Sequence, residues 1–243
     1  MKTTCLYRGH WFPAAIISQA VRWYFRFQLS LCDIEELLFE HGVAVSYETI
    51  RRWCVKFGAG FAHRAKSARR KPGSTWHLDE MVVMLRGESY LLWRAVDEHG
   101  AEFDILLQKR RDKAAAKCFF LRVLQTCPTP RKIVTDQLRS YPAARTNIPE
   151  LSNMKHVFVK AAARVNNRAE NSRQPTRERE RRMRGFRDPR RTQVFLSCIG
   201  PIRQHFALKR HLLKASLFRK HLAARFETWR EFTELAQIPP AVV

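Results

Sequence analysis

From Pro13 to Phe57 the apolar residues recur at helical spacing: Ile16, Ala20 and Tyr24 stand four apart, followed by Ile34, Leu37 and Leu38, then Ile50, Trp53 and Phe57. Three helices are expected. Polar residues sit where such helices would start and stop. Pro13 suits a first turn, Ser30 can cap a second helix with Asp33 three residues on, His41-Gly42 can end it, and Ser46 can cap a third. Two short helices joined by a glycine-containing turn read as a helix-turn-helix unit or as a plain three-helix packing unit.

After Pro72-Gly73 the period changes. Trp76-His77-Leu78-Asp79 runs into Met81 to Met84, a turn follows at Arg86-Gly87-Glu88, then Tyr90 to Val96, a turn at Asp97 to Gly100, and Phe103 to Leu107. Three consecutive strands joined by tight turns are expected. A helix follows with apolar Ala115, Cys118, Phe119, Val123 and Leu124, then a short strand from Lys132 to Thr135. Next come a helix from Leu138 to Thr146, a strand from His156 to Val159, and a long charged helix beginning at Asn166 or Asn167. The order is β-β-β-α-β-α-β-α. From Pro189 to Ala236 the spacing is helical again, and Gly200-Pro201 is expected to break it; this tail is expected to pack on the sheet domain.

Charge changes the picture more than composition does. Against 22 Asp and Glu the 243 residues carry 45 Lys and Arg, a formal net charge of +23, which implies a polyanionic partner. Residues 51–72 hold eight Lys or Arg and no acid, and residues 164–191 hold eleven Arg against four acids. Such surfaces bind any duplex through its phosphates, so sequence choice must come from elsewhere. At the start of the third helix, Tyr47, Thr49, Arg51, Arg52 and Lys56 are candidates for reading a major groove. The six cysteines show no CxxC pair and no zinc-ligand spacing, as expected of reduced thiols in the cytoplasm, beside the nucleoid. Polar residues interrupt Phe12 to Leu29, so neither a signal peptide nor a membrane span is expected.

Three acids then stand out: Asp79 on the first strand, Asp136 just after the fourth, and Glu170 on the last helix of the sheet domain. Phosphodiester cleavage needs its attacking and leaving oxygens stabilised in line, which two divalent ions do together. Magnesium takes oxygen ligands and keeps several waters, so three carboxylates suffice. Each acid also has an ordinary reading. Asp79 could end a strand, Asp136 could cap the next helix, and Glu170 could pair with Arg173 or Arg177 on a solvated face. Taken together the catalytic reading prevails, because an unpaired carboxylate among the apolar residues around Asp79 is costly unless a cation is present. The first and fourth strands are expected to be neighbours. Glu80, Asp97 and Asp104 are set aside, as the opposite face of the strand, a turn and an outer strand. Arg177, seven residues after Glu170 and nearly on its helical face, is placed to grip a phosphate, with Arg168 and Arg173 on the same basic helix. No tyrosine follows Tyr141 and no His-x-x-Arg occurs, against a covalent tyrosine mechanism.

Thr75-Trp76-His77-Leu78-Asp79-Glu80, Thr135-Asp136 with Ser140-Tyr141, and Asn166-Asn167-Arg168-Ala169-Glu170-Asn171 with Arg177 resemble the DDE transposases of the bacterial insertion sequence six family. Phe12-Pro13, Val45 to Cys54 and Arg184-Gly185-Phe186 extend the likeness over nearly the whole chain. The resemblance implies an α/β, ribonuclease H-like mixed five-stranded sheet with flanking helices, an all-α helix-turn-helix domain before it and a helical tail behind. The boundaries expected are 1–60 for the helix-turn-helix domain, 61–73 for a basic linker, 74–188 for the catalytic domain and 189–243 for the helical extension. Asp79, Asp136 and Glu170 would hold two Mg2+ ions, with Mn2+ able to substitute. The partners implied are double-stranded DNA, as terminal inverted repeats and target, and a second copy of the chain in a homodimer or larger synaptic assembly; no membrane is involved. Joining would proceed by water attack and then 3′-hydroxyl attack, giving cointegrates by replicative transposition. Two rivals remain open from the residues: a helix-turn-helix regulator whose larger domain only dimerises, and a nuclease that cuts without joining.

Overall fold

A computed structural model describes residues 6–69, 71–135, 140–152, 154–158 and 167–234, with side chains except those of 140, 143, 145 and 167–172. Contacts divide the chain into two units: residues 1–69 with 198–243, and residues 70–197.

The first unit is helical. It comprises α1 (Ala14–Arg26), α2 (Leu31–Glu40), α3 (Tyr47–Ser67), the end of α7 (Pro189–His205), a 3-10 turn at Arg210–Leu212 and α8 (Ala215–Phe232). The caps read from the sequence are present. Ser30 and Asp33 form a reciprocal capping box, and the Ser46 hydroxyl accepts from the Thr49 N–H at 3.4 Å. Helix α3 runs on to Ser67, so most of the stretch expected as a basic linker is helix. Phe61, Ala62 and Ala65 explain this, because they continue the buried stripe of Ile50, Trp53 and Phe57.

The tail is shared between the units: residues 189–197 belong to the sheet unit, and from Cys198 on the tail closes the helical one. Trp229 of α8 donates its indole N–H to the Ser18 hydroxyl at 2.9 Å, and the Tyr7 hydroxyl donates to the Thr233 carbonyl at 2.8 Å. Rings of Phe61, His205, Phe206, Phe226 and Trp229 pack against one another between them. The expected break at Gly200-Pro201 is absent, and α7 continues through Pro201 to His205. A proline inside a helix costs about 3 kcal/mol. Burial of Leu196, Cys198, Ile199, Ile202 and Phe206 offsets it.

In the second unit β1 (Thr75–Leu85), β2 (Glu88–Asp97), β3 (Glu102–Gln108), β4 (Lys132–Thr135) and β5 (Lys155–Phe158) form one mixed sheet in the order β3-β2-β1-β4-β5. β1 to β3 are antiparallel neighbours, while β4 runs parallel to both β1 and β5. With α4 (Lys113–Leu124), α5 (Ser140–Arg145) and α6 (Asn167–Arg182) in sequence after β3, β4 and β5, this is the ribonuclease H-like arrangement. The β1–β2 hairpin closes through Arg86 and Gly87, both at positive φ, the backbone that a two-residue turn between twisted strands requires.

Alternation along β1 divides the two faces. Trp76 and Leu78 join Trp93, Ala95, Phe103, Phe119, Phe120 and Tyr141 in an apolar core with α4 and α5. His77, Asp79, Met81 and Val83 point to the other face, the side from which α6 reaches β1. The start of α7 is tied to β3, with the Gln193 side chain accepting from the Leu107 N–H at 2.6 Å.

Candidate active site and nucleic-acid face

Asp79 lies in the middle of β1 with only 3% of its side chain exposed. The charge is met by Arg173, 94 residues away on α6: Nε donates to Oδ2 at 2.6 Å, and Nη2 donates to Oδ1. Both carboxylate oxygens are therefore gripped by one guanidinium.

A second cation stands nearby. Arg94 is the register partner of Asp79 on β2, which puts it on the same face, and it is fully buried. Its Nε and Nη2 donate to Glu102 Oε2 at 3.0 and 2.8 Å. The buried face thus carries an ionic layer of Asp79, Arg173, Arg94 and Glu102, where a stack of aliphatic side chains would otherwise lie.

Two of the three expected acids are reached only through the backbone. β1 and β4 pair in parallel as Thr75 with Lys132, Trp76 with Ile133 and His77 with Val134. Asp136 lies outside the described residues, one position beyond the end of β4. At that end the Thr135 hydroxyl and His156 Nε2 are 2.8 Å apart. Glu170 and Arg168 lie on α6, whose backbone is described there. Glu170 precedes Arg173 by three residues, about one helical turn. Among the described residues no group of three His, Cys, Asp or Glu side chains is close enough to hold a metal, Asp79 being the one triad side chain described. Its chemistry suits a divalent cation: a carboxylate out of water, aimed from a rigid strand, already requiring positive charge.

The acids set aside all have structural occupations. Glu80 pairs with Arg111, and Arg122 donates to Asp104 at 3.3 Å. Asp97 Oδ1 accepts from the N–H groups of His99 and Ala101 and so builds the β2–β3 turn. Arg177 donates to Glu180 Oε2 at 3.0 Å, and Glu180 Oε1 accepts from the Met84 N–H at 2.8 Å. Arg177 is thereby directed toward the far end of β1, away from Asp79.

On α3 the five expected contact residues fall within the first three turns. Thr49 is occupied with the Ser46 cap, their hydroxyls 3.0 Å apart. Tyr47 is exposed, while its N–H is held by Glu35 at 3.0 Å. Arg51 and Arg52 both reach Glu48, whose carboxyl the Arg51 hydrogen bond holds down to about 2. Lys56 Nζ lies 2.8 Å from His10 Nε2; partial burial, and then the Lys56 charge, keep that imidazole below its ordinary value. The same exposed face carries Val55, Ala59 and Gly60.

Two residues were missed from sequence. Arg94 stood inside the apolar run Leu91 to Val96, and an arginine in a buried strand was itself a signal. Trp11 is fully exposed between His10, which contacts Lys56 and the Phe57 ring, and Phe12, whose ring meets Trp53 edge-on. Nothing in its spacing marked it.

No helix among the described residues is long and apolar enough to cross a membrane. A family profile described as a DDE domain, of the IS240 transposase type, matches residues 73–211. Over 193 residues the chain is 29% identical to the transposase for insertion sequence-like element IS431mec of Staphylococcus aureus, covering 79% of this chain and 86% of that one. It is 28% identical, with the same coverage, to the transposase for insertion sequence element IS257 in transposon Tn4003, also from Staphylococcus aureus. Among solved structures it is similar to the catalytic core domain of BIV integrase at a TM-score of 0.42 and 10% identity, covering 65% of this chain and 99% of that one.

Proposed function

The chain belongs to the DDE transposases of the bacterial insertion sequence six family, enzymes of metal-dependent DNA cleavage and strand transfer, and from that membership we propose how its residues divide the work. Asp79, Asp136 and Glu170 form the carboxylate triad. The observation that carries this is the setting of Asp79. It is a buried carboxylate two residues beyond His77, whose parallel partner Val134 stands two residues before Asp136, and it is bonded to a helix at a point one turn from Glu170.

Asp79, Asp136 and Glu170 would hold two Mg2+ ions, or Mn2+ in their place, which would supply Lewis acidity and lower the pKa of the attacking hydroxyl. The chain's own residues orient and exclude. β1 sets the place of Asp79, the apolar core behind it keeps water from the opposite face, and the basic helix α6 brings positive charge to the scissile strand. Terminal inverted repeats dock on α3, with Tyr47, Arg51, Arg52 and Lys56 at the groove and Trp11 alongside. Residues 1–60 are assigned to end binding and 74–188 to chemistry. Pairing of two ends demands a homodimer or larger assembly, and the reaction is replicative, yielding cointegrates.

The test mixes purified protein, Mg2+ and a labelled duplex bearing the element's own termini with a target plasmid. Joined products are expected from the wild type. Asp79→Asn and Asp136→Asn should each lower joining by about a thousandfold while leaving the mobility-shifted complex intact. Undiminished joining by either variant would remove the triad from the mechanism. Arg52→Ala and Lys56→Ala should each flatten the dependence of log K on log salt by about one unit.

A further inference from the structure

A carboxylate triad does not by itself call for an arginine clamped on its first member. Arg173 nevertheless takes both oxygens of Asp79, with the carboxylate 3% exposed and the arginine side chain 35% exposed. A lone carboxylate so far out of water is costly, so some cation must be there at all times. The guanidinium uses the same two oxygens through which a carboxylate binds a divalent ion. Two cations drawn to the same pair of oxygens repel each other, so each weakens the other's hold on Asp79.

What Arg173 does on leaving follows from its position. It is on α6, part-exposed, and its planar fork matches a phosphate as well as it matches a carboxylate. We infer that Arg173 is an exchangeable counter-cation: it holds the Asp79 carboxylate closed while no divalent ion is bound, and it gives up that carboxylate for a DNA phosphate when one is. This rests on the triad reading above. Arg173 is a positioning residue here, and its consequence is linkage. Divalent-ion binding is weakened by the resident arginine when DNA is absent, and DNA relieves that competition by offering the guanidinium another anion.

The experiment titrates Mn2+ into the full chain and follows free ion by electron paramagnetic resonance, with and without a short duplex. Wild-type protein should bind Mn2+ more tightly with duplex than without. Arg173→Gln without DNA should bind about tenfold more tightly than wild type, and the duplex should then add less than about twofold, coupling of ordinary size for linked sites. Arg173→Lys keeps the charge without the fork and should fall between them. Because Arg173→Gln takes away the guanidinium bonded to Asp79, its melting temperature should be low without metal and rise more with Mn2+ than that of wild type. Asp79→Asn/Arg173→Gln should lose that extra rise. Equal or weaker Mn2+ binding by Arg173→Gln, or an unchanged effect of duplex, overturns the exchange while leaving the triad in place. Mn2+ uptake by Asp79→Asn equal to that of wild type overturns both, because the ion then never sat on Asp79.

Discussion

The two units solve burial in opposite ways. Among the described residues every buried Asp, Glu and Arg falls in the sheet unit: Asp79, Arg94, Asp97, Asp104, Arg179 and Glu180. In the helical unit the buried polar residues are Ser18, His205 and Thr233, all uncharged and all hydrogen-bonded. The helical unit is held by aromatic packing between segments far apart in sequence. The sheet unit carries charges in its interior, although a well-packed apolar layer would serve stability equally well or better. Interior charge is a property of the sheet unit, and Asp79 with Arg94 is the part of it that shares the face from which α6 reaches β1.

The contrast breaks most sharply at Arg94. Arg94→Ala leaves Glu102 without its buried partner and takes a cation from beside Asp79, so it should destabilise the sheet unit by about 3–5 kcal/mol. Arg94→Met/Glu102→Leu removes both charges and should recover most of that loss in urea unfolding. A double variant no more stable than the single one would mean that the pair is structural in its own right, and the comparison would lose its main support.

Much of this division was legible in the sequence, and its failures share one cause. Periodicity gave the helices and strands because a face that must be buried repeats at a fixed interval, and Ser30, Ser46 and the Arg86-Gly87 turn marked their ends. The neighbouring of the first and fourth strands followed from the order of elements. Long-range partners did not. Nothing in the spacing on α6 showed that Arg173 is bonded to Asp79 across 94 residues. The tail showed an apolar stripe but not the surface it covers. At Pro201 the local rule was right about cost and wrong about outcome, since tertiary burial outweighed it.

A smaller effect tests the neutral side of the comparison. Trp229→Phe keeps the ring in its aromatic cluster but strands the buried Ser18 hydroxyl, which should cost about 1–3 kcal/mol in thermal or urea unfolding. Ser18→Ala/Trp229→Phe deletes both polar groups and should lie close to wild type. The coupling energy from this cycle should come out well below that of Arg94 with Glu102. Equal coupling would show that the two interiors differ in composition but not in energetics.

The smallest effect is on pH, and it concerns His205, a buried imidazole of the helical unit. His205 packs among Phe206, Trp229 and Phe232, and its Nε2–H donates to the Arg225 carbonyl at 2.8 Å. Burial pulls its pKa below 6.5; the carbonyl pushes the other way, and the charges of Arg225 and Arg26 pull further down. The unfolded chain therefore holds more protons than the folded one on the acid side of neutrality. Stability from this ring is complete above the unfolded value and declines as pH falls through it toward the folded value, with a slope of at most about 1.4 kcal/mol per pH unit. Melting temperatures between pH 7.5 and pH 5.5 should fall for wild type and fall less for His205→Gln, whose amide can keep the bond to Arg225 without taking up a proton. A parallel fall in both would put the acid sensitivity in the carboxylates of the sheet unit, where the comparison expects the larger share of charge.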